Sequence, residues 1–221
     1  NKKEIDDFTA DVLLRERPEY DFVAEDGIRH TLYVIADEAA IAEIKDSAFA
    51  ESLHLMGSDA AMDLGTMTGD VPFKNWSSAE DPEISSKLSG PTLTEHYLTK
   101  AHACSNCPVA CKRIVAVKDG PYQTEEGPGP EYETCGTFGT LIMNSDLAAV
   151  IKANELCNRY GMDTISAGSA IAVAMELYEK GIINAETADG MKLEWGNMET
   201  VMELLGKIAR REGLGDILAR G

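Results

Sequence analysis

The run Cys104-Ser-Asn-Cys107-Pro-Val-Ala-Cys111 constrains this chain more than any other stretch, because three of its five cysteines fall within eight residues in the spacing C-x2-C-x3-C. Two or three intervening residues bring the chain back round within about one turn, so thiolates so placed can close on a single metal centre. A 4Fe–4S cluster needs cysteines at such short spacing, commonly with a fourth from farther along. A zinc site ordinarily brings a second C-x-x-C or a His pair. Here His102 is the only histidine nearby, at an unusual offset. The leading reading is therefore an iron–sulfur site. A zinc-stabilised interaction domain and a set of ordinary buried thiols are the alternatives, since free Cys is a common core residue. A disulfide does not suit the run, because three thiols do not pair. The order of spacings is also the reverse of the C-x3-C-x2-C of radical enzymes that cleave S-adenosylmethionine.

What surrounds the run must support such a centre. At 221 residues the chain can bury a proper core in one or two domains. Its 44% hydrophobic and 26% charged residues are a globular balance. A net charge of −18 excludes the basic footprint of a nucleic-acid binder and is read as solubility. No apolar run reaches membrane-spanning length and no secretory signal is present, so no membrane partner is expected. Cysteines without a pairing pattern point to a reducing cytoplasm. Lys100, Lys112 and Arg113 flank the run and make it the least acidic stretch, a candidate docking patch for an acidic electron carrier.

Along the chain the expected fold class is mainly α: a multihelical domain with at most a small β-sheet towards the N-terminal half. Residues 1–27 are acidic with some helical period (Ile5, Phe8, Val12, Leu13), and residues 28–36 read as a strand. Asp37 is a candidate cap for a helix to Ala48, and residues 51–64 read as a short helix. Residues 65–91 read as loop-rich, residues 92–101 as a helix leading into the cysteines, and residues 113–118 as a strand closed by Asp119-Gly120. Residues 119–136 form a Gly/Pro/Glu-rich loop centred on Glu125 to Thr134. Such a loop beside a metal motif is a place to look for function. The remainder is helical. Asn144 or Ser145 caps a helix ending at Gly161, Thr164 or Ser166 starts a second ending at Gly181, and Asn197 starts a third that stops at Gly213.

These motifs together resemble the aldehyde ferredoxin oxidoreductase family. The resemblance rests on the cysteine run, Gly129-Pro-Glu-Tyr-Glu-Thr134, Leu156-Cys-Asn-Arg-Tyr-Gly-Met-Asp-Thr-Ile-Ser166, Ala174-Met-Glu-Leu-Tyr-Glu-Lys-Gly181 and Arg211-Glu-Gly-Leu-Gly-Asp-Ile-Leu-Ala219, with Gly69-Asp-Val-Pro-Phe-Lys-Asn75 less distinct. It is dense from about residue 65 and weak over residues 1–50. It implies a division into residues 1–64, an N-terminal segment, and residues 65–221, a helical middle domain, with the flanking domains outside this chain. It implies a complete enzyme holding tungsten or molybdenum on two pterins beside a 4Fe–4S cluster, oxidising aldehydes to carboxylic acids with ferredoxin as acceptor. By the same resemblance Cys104, Cys107 and Cys111 ligate the cluster, while Cys135 and Cys157 do not supply its fourth ligand. The D-x-x-G-L-D pterin motif carries over onto Asn158, Gly161, Met162 and Asp163, with Asn158 departing from Asp. A metal-proximal glutamate falls on Glu131 or Glu133, with Glu133 preferred. A homo-oligomer is compatible with all of this. The alternative of another class is a helical iron–sulfur electron-transfer module without substrate chemistry. Read as a fragment, the chain is expected to fold on its own helices without its cofactors, and to be inactive alone.

Overall fold

The structure, a computed structural model, describes residues 19–23, 29–33, 42, 46–104 and 107–220. The chain divides into two units, one of residues 1–54 with 103–110 and the other of residues 55–102 with 111–221.

In the first unit, β1 (Glu19–Val23) and β2 (Arg29–Tyr33) pair antiparallel, Glu19 opposite Tyr33 and Val23 opposite Arg29. The strand expected over residues 28–36 is thus present. Residues 19–23, within the stretch read as acidic with some helical period, are its partner strand. The helical period of Ile5 to Leu13 and most of the helix expected from Asp37 to Ala48 lie outside the described residues. Helix α1 (Ala48–Met56) begins in this unit and ends in the next.

The second unit is an α-helical body carrying one small sheet. Gly57, at φ 73°, breaks the helix expected over residues 51–64 into α1, a 3₁₀ turn (Ser58–Ala60) and α2 (Ala61–Thr68). The stretch read as loop holds a helix, α3 (Pro82–Lys87), and the helix expected from residue 92 begins two residues early as α4 (Gly90–His96). The signal for α3 is local: Asp81 accepts from the backbone N–H of Glu83 and Ile84, and Pro82 stands at the first helical position. The helix expected over residues 92–101 stops at His96. Residues Leu98–His102 are β3, drawn out of the helix by pairing with β4 (Lys112–Val115), which also pairs with β5 (Gly127–Pro128).

Beyond the sheet come α5 (Tyr132–Phe138), a second 3₁₀ turn (Thr140–Ile142), α6 (Leu147–Tyr160), α7 (Thr164–Glu179), α8 (Met198–Arg210) and α9 (Leu214–Leu218). The three long helices match the expected segments. The caps of α6 and α7 differ from the expected ones by a residue or two, while that of α8 is the expected Asn197. Asp146 caps α6 by accepting from Ala148 and Ala149 N–H, while Asn144 instead accepts from Asp146 N–H. Asp163 caps α7 through Ser166 N–H, and Asn197 caps α8 through Thr200 N–H. Gly161, left-handed at φ 68°, closes α6 as expected.

The core gathers Met62 and Leu93 from α2 and α4, and Phe73 and Leu88 from the segments beside α3, with Phe138, Ile151, Ile171, Met175, Leu204 and Leu205 from the later helices, all buried. Mainly α with a small antiparallel sheet is therefore the fold class. Among the described residues no helix is long and apolar enough to cross a membrane.

Candidate functional site

Of the three motif cysteines, Cys104 and Cys107 lie in the first unit and Cys111 in the second. Cys104 is exposed and Cys107 half-buried; Cys107 N–H donates to the Cys104 carbonyl at 3.0 Å, the tight turn that C-x2-C spacing calls for. Cys111 is half-buried. All three thiols are free of disulfides, so the donor chemistry suits a cluster. Among the described residues no three His, Cys, Asp or Glu side chains converge as a metal site.

Two residues on, Arg113 departs from the reading of the flanking cations as a docking patch. It is buried, 3% exposed, with Nη1 donating to the Leu55 carbonyl at 2.9 Å. Burial pulls its proton affinity below the ordinary arginine value. Lys100 pairs with Glu126 at 3.0 Å, holding that carboxylate below its usual range by hydrogen bonding.

Glu131 and Glu133 stand at the start of α5 and both are exposed. Glu131 precedes the helix without capping it. The cap comes from elsewhere: Ser58 Oγ accepts from Tyr132 N–H at 3.0 Å and donates to the Glu131 carboxylate in a very short hydrogen bond. The 3₁₀ turn and the start of α5 are thereby locked together by one serine. Behind that serine lies a group that the sequence offered no reason to single out. Asp59 is 1% exposed, and neither carboxylate oxygen has a hydrogen-bond partner. The buried thiol of Cys135 lies alongside, a weak donor at best. Burial pushes Asp59 up to about 8; Glu131 and Glu133 add to the rise, while Cys135 and Arg113 oppose it. The Cys135 thiol is in turn raised well above its usual value by burial and by Asp59. No local spacing signals this group, since Asp59 reads as an ordinary surface acid in a Gly-Ser-Asp turn.

The other motif residues sit at the α6–α7 junction. Gly161 N–H bonds the Asn158 carbonyl at 3.3 Å and Met162 N–H the Cys157 carbonyl at 2.9 Å, a left-handed helix end. Asn158, Gly161 and Asp163 are exposed and Met162 half-buried. Asp163 is occupied as the α7 cap, its carboxylate held below the usual range by hydrogen bonds from Ser166. Asn158 also lines a cavity of about 300 Å³ with Glu125, Glu126, Glu155 and Arg159, on the acidic loop singled out in the sequence. Asn154 pins this loop, donating from Nδ2 to the Pro128 carbonyl at 2.9 Å.

Comparison with known proteins agrees with these motifs. The family model described as aldehyde ferredoxin oxidoreductase, domains 2 and 3, matches residues 35–221. The chain belongs to the aldehyde ferredoxin oxidoreductase family. It is 37% identical over 177 residues to a tungsten-containing aldehyde ferredoxin oxidoreductase of Pyrococcus furiosus, covering 80% of this chain and 28% of that protein. The Pyrococcus abyssi protein of the same name is 33% identical over 204 residues, 87% of this chain and 33% of the relative. Among solved structures, the active-site complex BamBC of benzoyl coenzyme A reductase superposes with a TM-score of 0.58 at 26% identity, over 77% of this chain and 24% of that one. The chain thus spans about a third or less of the family members it matches. Residues 35–221 of the match take in the cysteine run, the α5 glutamates and the α6–α7 junction together.

Proposed function

We propose that this chain is part of a tungstopterin and iron–sulfur oxidoreductase of the aldehyde ferredoxin oxidoreductase family, which oxidises aldehydes to carboxylic acids and passes the electrons to ferredoxin. The observation that carries the proposal is the family match over residues 35–221, which includes every motif on which the chemistry depends. Residues 65–221 act as the helical middle domain and residues 1–64 as the segment leading into it. Cys104, Cys107 and Cys111 hold the 4Fe–4S cluster. Asn158, Gly161, Met162 and Asp163 face a pterin; the exposed left-handed turn at Gly161 supports this by leaving backbone and side-chain polar atoms accessible.

When bound, the tungstopterin supplies a two-electron acceptor, and the cluster a path for single electrons outward. The chain's own contribution is proton handling. A carboxylate at the start of α5 takes a proton from water or from the aldehyde hydrate as the carboxylic acid forms. Glu131 and Glu133 both remain candidates. The hydrogen bond from Ser58 supports Glu131, since a base must be held in one direction to accept a proton efficiently.

The test is tungsten and iron analysis of the complete protein, together with aldehyde-dependent reduction of ferredoxin. Both metals and a turnover signal are expected. Iron without tungsten would favour an electron-transfer module, and zinc alone an interaction domain. A relative of P. furiosus named as an aliphatic sulfonate oxidoreductase, WOR-like subunit, is 32% identical over 151 residues, 68% of this chain and 24% of that protein. It makes aliphatic sulfonates the first substrates to compare with aldehydes.

A further inference from the structure

We propose that Asp59, paired with the Cys135 thiol, is a positioning residue for Glu131: an uncharged carboxylic acid sealed beneath the junction of the 3₁₀ turn and α5, whose proton keeps a second negative charge away from the reacting carboxylate. The inference takes Glu131, one of the two candidate carboxylates above, as the reacting group, and is argued from Asp59 itself.

The geometry leaves Asp59 few other roles. It is 1% exposed, and beyond the weakly donating Cys135 thiol neither oxygen has a hydrogen-bond partner. Burial costs an ionised carboxylate in such a place more than the Cys135 thiol and Arg113 return, a cost that neutralisation avoids. The site is closed by close packing. A Cβ on Gly90 of α4 would lie 2.5 Å from the Met56 carbonyl and 2.9 Å from Ala60 N, so the backbones on either side of the turn are already in contact. Ser58, the neighbour of Asp59, holds Glu131 from one side and Tyr132 N–H from the other. The charged and titratable groups facing Asp59 are Cys135, Glu131, Glu133 and Arg113. Burial, reinforced by the two glutamates, keeps the proton on up to about pH 8. Above that, the new charge repels Glu131 and works against the Ser58 bond that fixes its direction.

The sign of the linkage follows. A folded-state value of about 8 against an ordinary 3.8 means that stability from this group is fully present below about 3.8 and drains as pH rises to about 8. Across that window, unfolding releases up to about one more proton than it would without Asp59.

The test uses the complete enzyme, with Asp59→Asn and Cys135→Ser. Difference infrared spectroscopy should show a protonated carboxylic acid band at neutral pH that vanishes through about pH 8. The band should be absent from Asp59→Asn. Its absence from the unmodified enzyme would overturn the proposal. A hydroxyl donates to a carboxylate better than a thiol does, so in Cys135→Ser the band should vanish at lower pH; an unmoved midpoint would overturn the pairing. In turnover, kcat should fall about tenfold between pH 7 and pH 9 as Asp59 ionises, with KM little changed, and this limb should be missing from Asp59→Asn. An identical limb in both proteins would overturn the positioning role. The infrared readout needs no substrate. An enzyme that shows the band but oxidises no aldehyde would therefore support the buried acid while overturning the functional reading.

Discussion

Gly168 in α7 shows how single atoms set the distance between helices. A Cβ there would lie 2.6 Å from Thr137 Cβ and 2.8 Å from its Oγ1, with the Thr137 carbonyl carbon at 3.1 Å, so α5 and α7 touch backbone to side chain. Gly168→Ala gains about 1 kcal/mol of helix propensity. Against this stands an overpacking cost of typically 1–3 kcal/mol, at its upper end here because the β-branched Thr137 has little freedom to turn away. We therefore expect a net loss of about 1–2 kcal/mol, measured by urea unfolding of the chain. The cysteines divide at the same scale. Burial pushes the Cys157 thiol up to about 12 and the Cys135 thiol well above its usual value, whereas Cys104 is exposed. In metal-free chain at pH 8, iodoacetamide should modify Cys104 readily and leave Cys135 and Cys157 unmodified until denaturant is added, as peptide mass mapping would record.

Among the elements, the helix starts are the most legible and the most testable. Asp163 accepts from Ser166 N–H at 2.7 Å, and its carboxyl lies below the ordinary 3.8 because of hydrogen bonds from Ser166. Such a cap contributes typically about 1 kcal/mol. A depressed folded value means that this contribution is present above pH 3.8 and disappears as pH falls through the folded value. Thermal melts of Asp163→Ala should therefore lie below those of the unmodified chain at pH 7 and converge with them in acid. A gap that persists unchanged at pH 2 would show that the residue acts by packing rather than as a charged cap. Where the expected elements were displaced, the cause is pairing. Residues 98–102 carry enough helix formers to continue α4, yet Ala101 and His102 lie opposite Arg113 and Lys112 in a ladder that the local sequence does not announce.

For the molecule as a whole, the cysteine run carries the sharpest expectation. In the complete enzyme, Cys107→Ala should lose the cluster's visible absorbance and most of its iron, as elemental analysis would record. Retention of full iron content would remove Cys107 from the ligand set. The same measurement on Cys135→Ala should show iron retained, because that thiol is wholly buried beside Asp59.

The sequence by itself determined the mainly helical fold class, the three long helices with the Asn197 start and the Gly161 end, the cysteine spacing and the family. Each of these depends on residues within a few turns of one another, where capping, periodicity and ligand spacing act. Only the tertiary structure decided that Arg113 is buried rather than offered to a partner. It alone decided that Ser58 supplies the cap of a helix starting at Tyr132, and that Asp59 has no hydrogen-bond partner beneath it. Those facts join residues 58, 59, 113, 131 and 135 across distant stretches of chain. Burial and desolvation are properties of the packed assembly, and an Asp in a surface-like turn carries no local mark of the protein that will close over it.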